Sequence, residues 1–364
     1  MYIHYIFIIY TILMGISSVK NKKVNKILMG GFFIAAFIIA AFRDVSVGND
    51  TLEYVRSFNN INGISQLHNN IQITRFEYGY VFLNSIIKTF TDNYTILLAV
   101  ISAFYLYSVW RFINKYSESI WLSTFLFYIL GNYFLIFNLL RQCIAISFFL
   151  IAIDFIIEKK PIKYVITIIF ASLFHITSII LLPVYFIRRW NVNYKVIMGY
   201  FIVTLIGIIE FDNIINIIIK ILPQYSHYFF NSKYSLGGIR LASIINCLRI
   251  ITIYFFCKII SAKYKVFEKK GLKDGNEIIK RNVFESCVIL CIIVLILSIK
   301  FNLLDRIADY FSIVLIVYLP NVICKLKREK CIVYYVIIVF LIIYSTIIIY
   351  YRPEWSGIFP YKFK

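Results

Sequence analysis

Long apolar runs separated by short polar gaps dominate the hydropathy pattern of this 364-residue chain. A helix needs about 20 apolar residues to cross the hydrocarbon core of a bilayer, and about 17 at the short end. The pattern therefore predicts an all-α, polytopic membrane protein with about ten transmembrane helices. The predicted crossings are 2–18, 27–42, 94–110, 120–137, 139–157, 195–211, 241–258, 283–300, 304–324 and 332–351.

The polar gaps carry Lys and Arg unevenly, and this bias predicts the topology. Cytoplasmic loops are enriched in Lys and Arg, so the basic gaps are predicted to face the cytoplasm and the N-terminus to face outward. The basic gaps are 20–26, 111–115, 159–163, 188–195, 258–281 and 325–330. The segments predicted to be external are 43–93, the turn at Asn138, 212–240, 300–303 and 352–364.

One apolar run, 164–187, has a basic gap at each end and cannot be a single crossing under this topology. His175 lies near its middle, and Pro183 interrupts its second half. A hairpin of two short helices that turns near His175 satisfies both the charge rule and the length. Re-entrant backbone is tolerated where protein or water surrounds it, so an internal cavity is expected beside His175.

Two other segments are predicted to be helices too short to span a membrane. Tyr78 to Phe90 is amphipathic, and Ile214 to Leu222 is expected to lie in the membrane interface. There is no internal repeat or low-complexity segment. Residues 1–364 are therefore predicted to form a single transmembrane domain, with an external loop at 43–93 and a basic cytoplasmic loop at 258–281.

Composition supports the membrane assignment, since 61% of the residues are hydrophobic and 15% are charged. Soluble domains average about 45–50% and about 25%. The net charge of +20 would suggest nucleic acid in a soluble protein, but here the cations orient helices, so no nucleic-acid partner is predicted. The seven cysteines lie in or beside apolar runs without a cluster of His or carboxylates, which argues against a metal site.

Ionisable residues at membrane depth cost at least about 2.5–3.5 kcal/mol each, so they indicate function by default. The predicted topology gathers most of them on the outer side, at helix ends, and therefore predicts one polar site there. Its members are Arg43, Asp44, Asp50, Glu53, Arg141, Gln142, His175, Asp305, Arg306, Asp309, Arg352, Tyr361 and Lys362.

Structural alternatives exist for several of these residues. Asp305 is placed to complement a helix N-terminus, and Arg43 could belong to a solvated helix end. A buried His175 could be hydrogen-bonded for structure alone. Glu77 and Arg75, in the external loop, are interpreted as solvated charges.

Several arginines on an outward-facing surface suit a phosphate or pyrophosphate ligand, because the guanidinium fork pairs bidentately with such oxygens. A nearby carboxylate or histidine could deprotonate an attacking hydroxyl. The sequence has no Gly-rich phosphate loop and no paired Asp motif of the metal-dependent sugar transferases. Arginines can supply the positive charge, so no metal or other cofactor is predicted.

Six short motifs resemble elements of the EpsG-like family of polysaccharide polymerases, related in role to the Wzy O-antigen and capsule polymerases. They occur in the family's order across nearly the whole chain, while 190–300 carries no matching element and is expected to recognise the particular sugar. The motifs are Phe42 to Thr51 with Tyr54, Glu77 to Tyr80, Asn138 to Gln142, Phe174 to Ser178, Asp305 to Phe311, and Trp355 with Pro360 and Tyr361.

This resemblance implies a GT-C-like glycosyltransferase that joins lipid-linked repeat units at the outer side of the bacterial inner membrane. The growing glycan on undecaprenyl pyrophosphate would move to the non-reducing end of an incoming unit. The resemblance further implies that Arg43, Arg141 and Arg306 bind the pyrophosphate and that His175 or Asp50 is the catalytic base. The remaining predicted substrate-binding residues are Glu53, Gln142, Tyr310 and Tyr361.

The product could be the O-antigen of lipopolysaccharide, a capsule or an exopolysaccharide. Membrane lipids and a chain-length regulator are the other candidate partners. A flippase for lipid-linked oligosaccharides would also offer arginines to a pyrophosphate, but about twelve or more spans and paired halves would be expected. A glycan ligase would share the donor site. A membrane acyltransferase is disfavoured because its donor arrives from the cytoplasm, and an ion channel or secondary transporter is the non-enzyme alternative.

Overall fold

The fold is almost entirely helical. The computed structural model describes residues 2–18, 22–221, 241–263, 275–326 and 330–364. These residues are 83% helical and contain no β-strand beyond an isolated antiparallel bridge between Arg43 and Phe363. The prediction of an all-α polytopic membrane protein is confirmed.

Seventeen α-helices are described within those ranges. In chain order, α1 to α17 are Tyr2–Ser18, Lys22–Ala41, Thr51–Asn60, Leu67–Ile73, Tyr78–Phe90, Tyr94–Tyr116, Ile120–Ile129, Leu135–Asn138, Leu140–Ile157, Pro161–Ser172, Tyr194–Ile209, Phe211–Ile221, Leu241–Lys263, Gly275–Ser298, Asp305–Ser312, Leu315–Ile323 and Lys330–Tyr351. The principal 3₁₀ segments are Asn132–Phe134, Ile176–Arg189 and Pro353–Trp355.

The chain packs as two compact units. The first contains Met1–Leu182 and Leu326–Lys364, and the second contains Pro183–Lys325. Packing into two units does not decide how many domains fold independently. The prediction of a single domain therefore stays a prediction.

The predicted crossings correspond to helices of three kinds among the described residues. Five helices are long and apolar enough to cross a membrane, and three bent pairs raise that number to eight if each pair is one span. The first and last predicted crossings match two shorter apolar helical stretches, Tyr2–Ser17 and Tyr335–Tyr351. The total of ten spans stays a prediction. The bent pairs are Ile120–Ile129 with Asn132–Asn138, Tyr194–Ile209 with Phe211–Ile217, and Asn302–Ser312 with Leu315–Ile323.

The run predicted as a hairpin does break at His175. Helix α10 ends at Ser172, and a 3₁₀ segment begins at Ile176. The Tyr164 hydroxyl donates a hydrogen bond to the Leu181 carbonyl oxygen at 2.5 Å. These residues are 17 positions apart in sequence, so the chain folds back on itself here. The predicted cavity beside His175 stays a prediction.

Both short helices form close to their predicted bounds, and the position of the second in the membrane interface stays a prediction. Helix α5 spans Tyr78–Phe90, and α12 spans Phe211–Ile221 after a bend of 74° from α11. Parts of the other predicted loops lie outside the described residues. These parts are 19–21, 222–240, 264–274 and 327–329.

Candidate functional site

The centre of the candidate site is Glu77, which joins two side chains distant in sequence. Its Oε2 accepts a hydrogen bond from Arg141 Nη1 in an ion pair. Its Oε1 lies 3.2 Å from Nδ1 of His175 and accepts the Ile176 backbone N–H at 3.3 Å. One carboxylate thus connects a guanidinium group to an imidazole, within the first unit.

The local sequence explains why Glu77 reaches His175. Glu77 precedes α5 with extended backbone, and Gly79 follows in the first turn. The Gly79 N–H donates to the Leu173 carbonyl oxygen at 2.8 Å, and a Cβ on Gly79 would lie 2.8 Å from that same oxygen. Because only glycine permits this approach, the start of α5 can contact the turn that carries His175.

Arg141 lies in the first turn of α9, where aromatic side chains contact it in addition to its carboxylate partner. Its guanidinium lies 4.4 Å from the centre of the Phe76 ring, in the geometry of a cation–π contact. Tyr54 hydrogen-bonds to Arg141, and the Tyr54, Phe76 and Tyr80 rings pack within 6 Å of one another. The Arg141 guanidinium is therefore positioned by aromatic neighbours in addition to its anionic partner.

The three central side chains are mostly buried, but each keeps some exposed surface. The side chains of Arg141, Glu77 and His175 are 19%, 15% and 12% exposed. Burial alone would raise the pKa of the Glu77 carboxyl. The hydrogen bond to His175 and the charge of Arg141 outweigh burial and lower this pKa to about 2. Glu77 is consequently ionised at neutral pH, and its interpretation as a solvated charge is wrong.

Arg43 is placed quite differently, since its side chain has no exposed surface. Nε donates to Thr51 Oγ1 at 3.1 Å, Nη2 donates to the Ile136 carbonyl oxygen at 3.1 Å, and Nη1 donates to the Ala40 carbonyl oxygen. Burial lowers its pKa to about 10. A direct contact with a ligand would require this loop to open, and its predicted role in pyrophosphate binding stays a prediction.

The C-terminal tail packs against the loop that contains Arg43, which runs from residue 42 to residue 50. The Asp44 N–H donates to the Lys362 carbonyl oxygen at 3.0 Å, and the Gly48 N–H donates to the Gly357 carbonyl oxygen at 2.7 Å. Gly48 has a φ of +92°, and a Cβ there would lie 2.3 Å from the Phe137 carbonyl oxygen. The tail and the loop after α2 therefore form one packed cluster.

The amides of Asn49 and Asn138 complete this cluster. The Asn49 N–H donates to Asn138 Oδ1 at 2.7 Å, while Asn138 Nδ2 donates to the Ser356 carbonyl oxygen at 2.9 Å. Tyr361 donates its hydroxyl to the Ile39 carbonyl oxygen at 2.6 Å, and burial raises the pKa of this hydroxyl to about 12. Three of the sequence motifs thus meet at the outer end predicted for α2.

The other predicted residues of the first unit flank these two clusters. Asp50 is the residue before α3, where its side chain makes no capping hydrogen bond, and Glu53 lies exposed in the first turn. Gln142 is 1% exposed beside Arg141. The roles predicted for these residues and for Tyr361 stay predictions.

The second unit carries the predicted residues Arg306 and Tyr310 on α15. Asp305 begins that helix, and its Oδ2 accepts a hydrogen bond from Ser243 at 3.0 Å. Asp309 lies one turn later and is close enough to Asp305, Arg306 and Arg249 for their charges to interact. Tyr310 is fully buried. The roles predicted for Arg306 and Tyr310 stay predictions.

Asp154 is the centre of a second cluster of charges in the first unit. The Asp154 side chain is 4% exposed and pairs with Arg111 Nη2 and with Lys115 Nζ, the latter at 3.0 Å. The Tyr116 hydroxyl also donates to Asp154. Residues 141 and 154 are about 20 Å apart along α9 at 1.5 Å per residue, so the two clusters lie at opposite ends of the helix. Within the described ranges, no group of three or more His, Cys, Asp or Glu side chains could hold a metal ion.

Together, the fold and this site define a polytopic α-helical membrane protein with a carboxylate-bridged Arg and His pair at one end. A comparison with protein families matches residues 26–363 to the EpsG family. The chain belongs to the EpsG family, a Wzy-like family of polysaccharide polymerases. Neither the comparison with curated proteins nor that with solved structures gave a match.

Glu77 is the residue whose contacts the sequence interpretation missed. It lies in a matched family motif, but a charge in a long external loop is solvated by default, and nothing local distinguishes it from Arg75. The available signal was Gly79, two residues later at the start of a helix, because a glycine there is compatible with close packing of another chain segment.

Proposed function

We propose that the protein is a repeat-unit polymerase that uses a glycan carried on undecaprenyl pyrophosphate. The acceptor is the non-reducing end of an incoming lipid-linked unit, and the reaction occurs on the outer side of the bacterial inner membrane. Membership of the EpsG family supports the coarse role of polysaccharide polymerase. The observation that carries the finer proposal is the connection of Arg141 to His175 through Glu77.

The chemistry of the proposed transfer assigns different steps to these side chains. His175 accepts the proton of the acceptor hydroxyl while that oxygen attacks the anomeric carbon of the donor sugar. The bond between the anomeric carbon and the phosphate oxygen breaks, and its electron pair remains on the pyrophosphate. Arg141 stabilises this growing negative charge. The imidazolium proton is then released to solvent, so atoms and charge balance.

Arg43 acts in this proposal through the position of the loop that follows α2. Its hydrogen bonds to Ala40, Thr51 and Ile136 join the end of α2, the start of α3 and the short helix α8 before α9. Arg141 lies one turn beyond that segment, so the Arg43 cluster sets where α9 begins. Asp50 is the alternative base because it is partly exposed at the start of α3. Arginine supplies the positive charge, and metal independence is part of the proposal.

Charge distribution supports the proposed orientation. The cluster of Arg111 and Lys115 lies at the end of the first unit opposite to Arg141, and a cytoplasmic position suits its basic character. Arg141 and His175 would then face the exterior or periplasm, where lipid-linked repeat units are joined. The proposed partners are the lipid-linked oligosaccharide, the surrounding lipids and a chain-length regulator.

The decisive experiment uses purified full-length protein in liposomes that contain lipid-linked repeat units on both faces. The wild-type protein should lengthen the glycan into a ladder, and Arg141→Ala should not. The matched control is Arg56→Ala, which removes an exposed arginine on α3 and should leave the ladder intact.

Two outcomes would overturn the proposal. If the wild-type protein makes the units of the inner face accessible to an externally added glycosidase without lengthening them, it is a transporter. If lengthening requires a different, non-lipid acceptor, the protein is a ligase. Deletion of the gene in its native host adds a check, since surface glycan should then stop at one repeat unit.

A further inference from the structure

Glu77 divides its two oxygens between the proposed base and the proposed phosphate ligand. Oε1 contacts His175 Nδ1 and the Ile176 N–H, and Oε2 contacts Arg141. A carboxylate oxygen paired with a guanidinium group occupies the place that a phosphate oxygen would take, because both anions use the same fork. In this structure, Glu77 is therefore an internal anion at the site where an external anion is expected to bind.

Arg141 can exchange this anion without losing its own position. The Phe76 ring lies 4.4 Å from its guanidinium, and Tyr54 provides a further hydrogen bond. The side chain is 19% exposed, so a ligand can approach it. Arg43, by contrast, is fully buried, and it donates to the Thr51 hydroxyl and to two backbone carbonyl oxygens, which offers no comparable exchange.

The exchange has a consequence for His175. A hydrogen bond from Nδ1–H to Glu77 places the imidazole proton on Nδ1 and leaves the basic lone pair on Nε2. While Arg141 is paired with Glu77, it neutralises part of the negative charge of that carboxylate. Once Arg141 turns to a pyrophosphate, the full charge of Glu77 acts on the imidazole and favours proton uptake at Nε2.

We propose that Glu77 is a positioning residue that couples pyrophosphate binding at Arg141 to base strength at His175. This inference rests on the proposed function and specifies the order of events. The base is strengthened when the lipid-pyrophosphate donor is bound. An acceptor that arrives first meets a weaker base.

The test measures pyrophosphate binding and polymer formation separately, using the full-length protein in lipid nanodiscs. Glu77→Gln removes the competing charge while keeping the shape of the side chain. It should bind inorganic pyrophosphate about tenfold more tightly, because the ligand no longer has to replace the charge-assisted hydrogen bond between Glu77 and Arg141. The same variant should form polymer at least about tenfold more slowly, because His175 loses its orienting partner.

Suitable controls separate this coupling from a general loss of structure. Glu158→Gln removes a carboxylate from a surface ion pair with Lys160 and should change neither measurement. Glu77→Asp keeps the charge and should recover part of the polymerase rate. If Glu77→Gln binds pyrophosphate equally or more weakly, the carboxylate does not compete with the ligand and the inference is wrong.

The imidazole itself provides a readout that does not depend on activity. In protein with ¹⁵N-labelled histidine, the His175 signals are those that disappear in His175→Gln. Inorganic pyrophosphate should shift these signals in the wild-type protein and leave them unchanged in Glu77→Gln and in Arg141→Ala. An equal shift in all three proteins would overturn the coupling. If pyrophosphate binds with the same affinity after Arg141→Ala, the proposed function fails instead.

Discussion

Two carboxylates in the first unit each hold cationic side chains, but they differ in what else can reach those cations. Asp154 is 4% exposed and pairs with Arg111, Lys115 and Tyr116 near the end of α9. Glu77 is 15% exposed and lies among chain segments that precede or follow helices. The first carboxylate has an excess of cationic partners, whereas the second shares one arginine with one histidine.

The two carboxylates carry the same charge, and they differ in the chain segments that hold their partners. Arg111 and Lys115 belong to the same helix, and Asp154 fastens that helix to α9. Glu77, Arg141 and His175 come from three separate segments that are held by the contacts of Gly79 and Phe76. A pair that only joins helices stabilises the fold. A pair whose arginine is positioned from another side can exchange its partner for a ligand.

The largest expected effect comes from replacing each arginine by lysine, which keeps the charge and removes the fork. Arg141→Lys should lower the rate of polymer formation by about 100-fold or more, the usual cost of losing one donor to a developing anion. Arg111→Lys should leave that rate within about threefold, because Lys115 and Tyr116 still satisfy Asp154. Rates are measured in liposomes with purified lipid-linked repeat unit. Equal losses in both variants would remove the functional distinction between the clusters.

The next effect is on stability and reverses the comparison. Asp154→Asn leaves Arg111 and Lys115 without their anion, and breaking such a pair costs about 3 kcal/mol when one partner is buried. Its melting temperature in detergent should fall clearly, while the polymerase rate per folded molecule should change little. The double variant Asp154→Asn with Arg111→Gln should recover part of the loss. A rate that falls while the melting temperature is unchanged would contradict the structural role.

A third effect is the pH dependence of the Glu77 contribution to stability. The pKa of Glu77 falls from 4.5 to about 2 on folding. A lowered folded-state pKa means that the stabilisation is present above about pH 4.5 and is lost as pH falls towards about 2. The shift corresponds to at most about 3 kcal/mol. The melting-temperature difference between wild type and Glu77→Gln should therefore shrink over this pH range.

The control for this pH dependence is Glu354→Gln. Glu354 is 60% exposed, and its Oε1 lies 3.5 Å from Arg352 Nη1. The melting temperature of Glu354→Gln should stay close to that of the wild type, because an exposed pair of this length contributes little. A constant difference between wild type and Glu77→Gln from pH 4.5 to pH 2 would show that the ion pair does not stabilise the fold.

Much of the fold follows from hydrophobic length and charge, because a bilayer requires long apolar helices with satisfied backbone groups. The starts and ends of α1 and α5 match the predicted segments, and the break at His175 follows from basic residues on both flanks. The bend between α7 and α8 was not predicted. Gly131, with a φ of +93°, lies at that bend inside an apolar run, which hydropathy reads as one crossing.

The site was less predictable, since its contacts join residues far apart in sequence. Arg141 and His175 could be selected because a charge and an imidazole interrupt apolar runs. The burial of Arg43 depends on carbonyl oxygens of Ala40 and Ile136, which no side-chain pattern indicates. The pairing of Glu77 likewise depends on the packing of Gly79 against Leu173. Sequence located the charges, and tertiary packing decided which of them are accessible.

The smallest predicted effect tests this packing by adding one methyl group. Gly79→Ala would place a Cβ 2.8 Å from the Leu173 carbonyl oxygen, so the start of α5 or the turn before His175 must shift. A displacement of a few tenths of an ångström lengthens the 3.2 Å contact between Glu77 and His175. The rate of polymer formation should fall about three- to tenfold, while inorganic pyrophosphate still binds at Arg141, because effective alignment of a base depends steeply on distance.

Gly30→Ala is the matched control for this methyl group. In the part of the chain that the structure describes, no atom beyond the neighbouring residues and backbone of its own helix lies within 4 Å of the Cβ that Gly30 would gain. Alanine is favoured over glycine inside a helix by about 0.5–1 kcal/mol. This variant should be as active as wild type and slightly more stable. If Gly79→Ala behaves in the same way, the approach of α5 to Leu173 tolerates movement and does not set the position of Glu77. If only Gly79→Ala loses activity, the backbone contact between Gly79 and Leu173 positions the Glu77 carboxylate. The difference between the two clusters then depends on a contact that the pattern of charges in the sequence does not indicate.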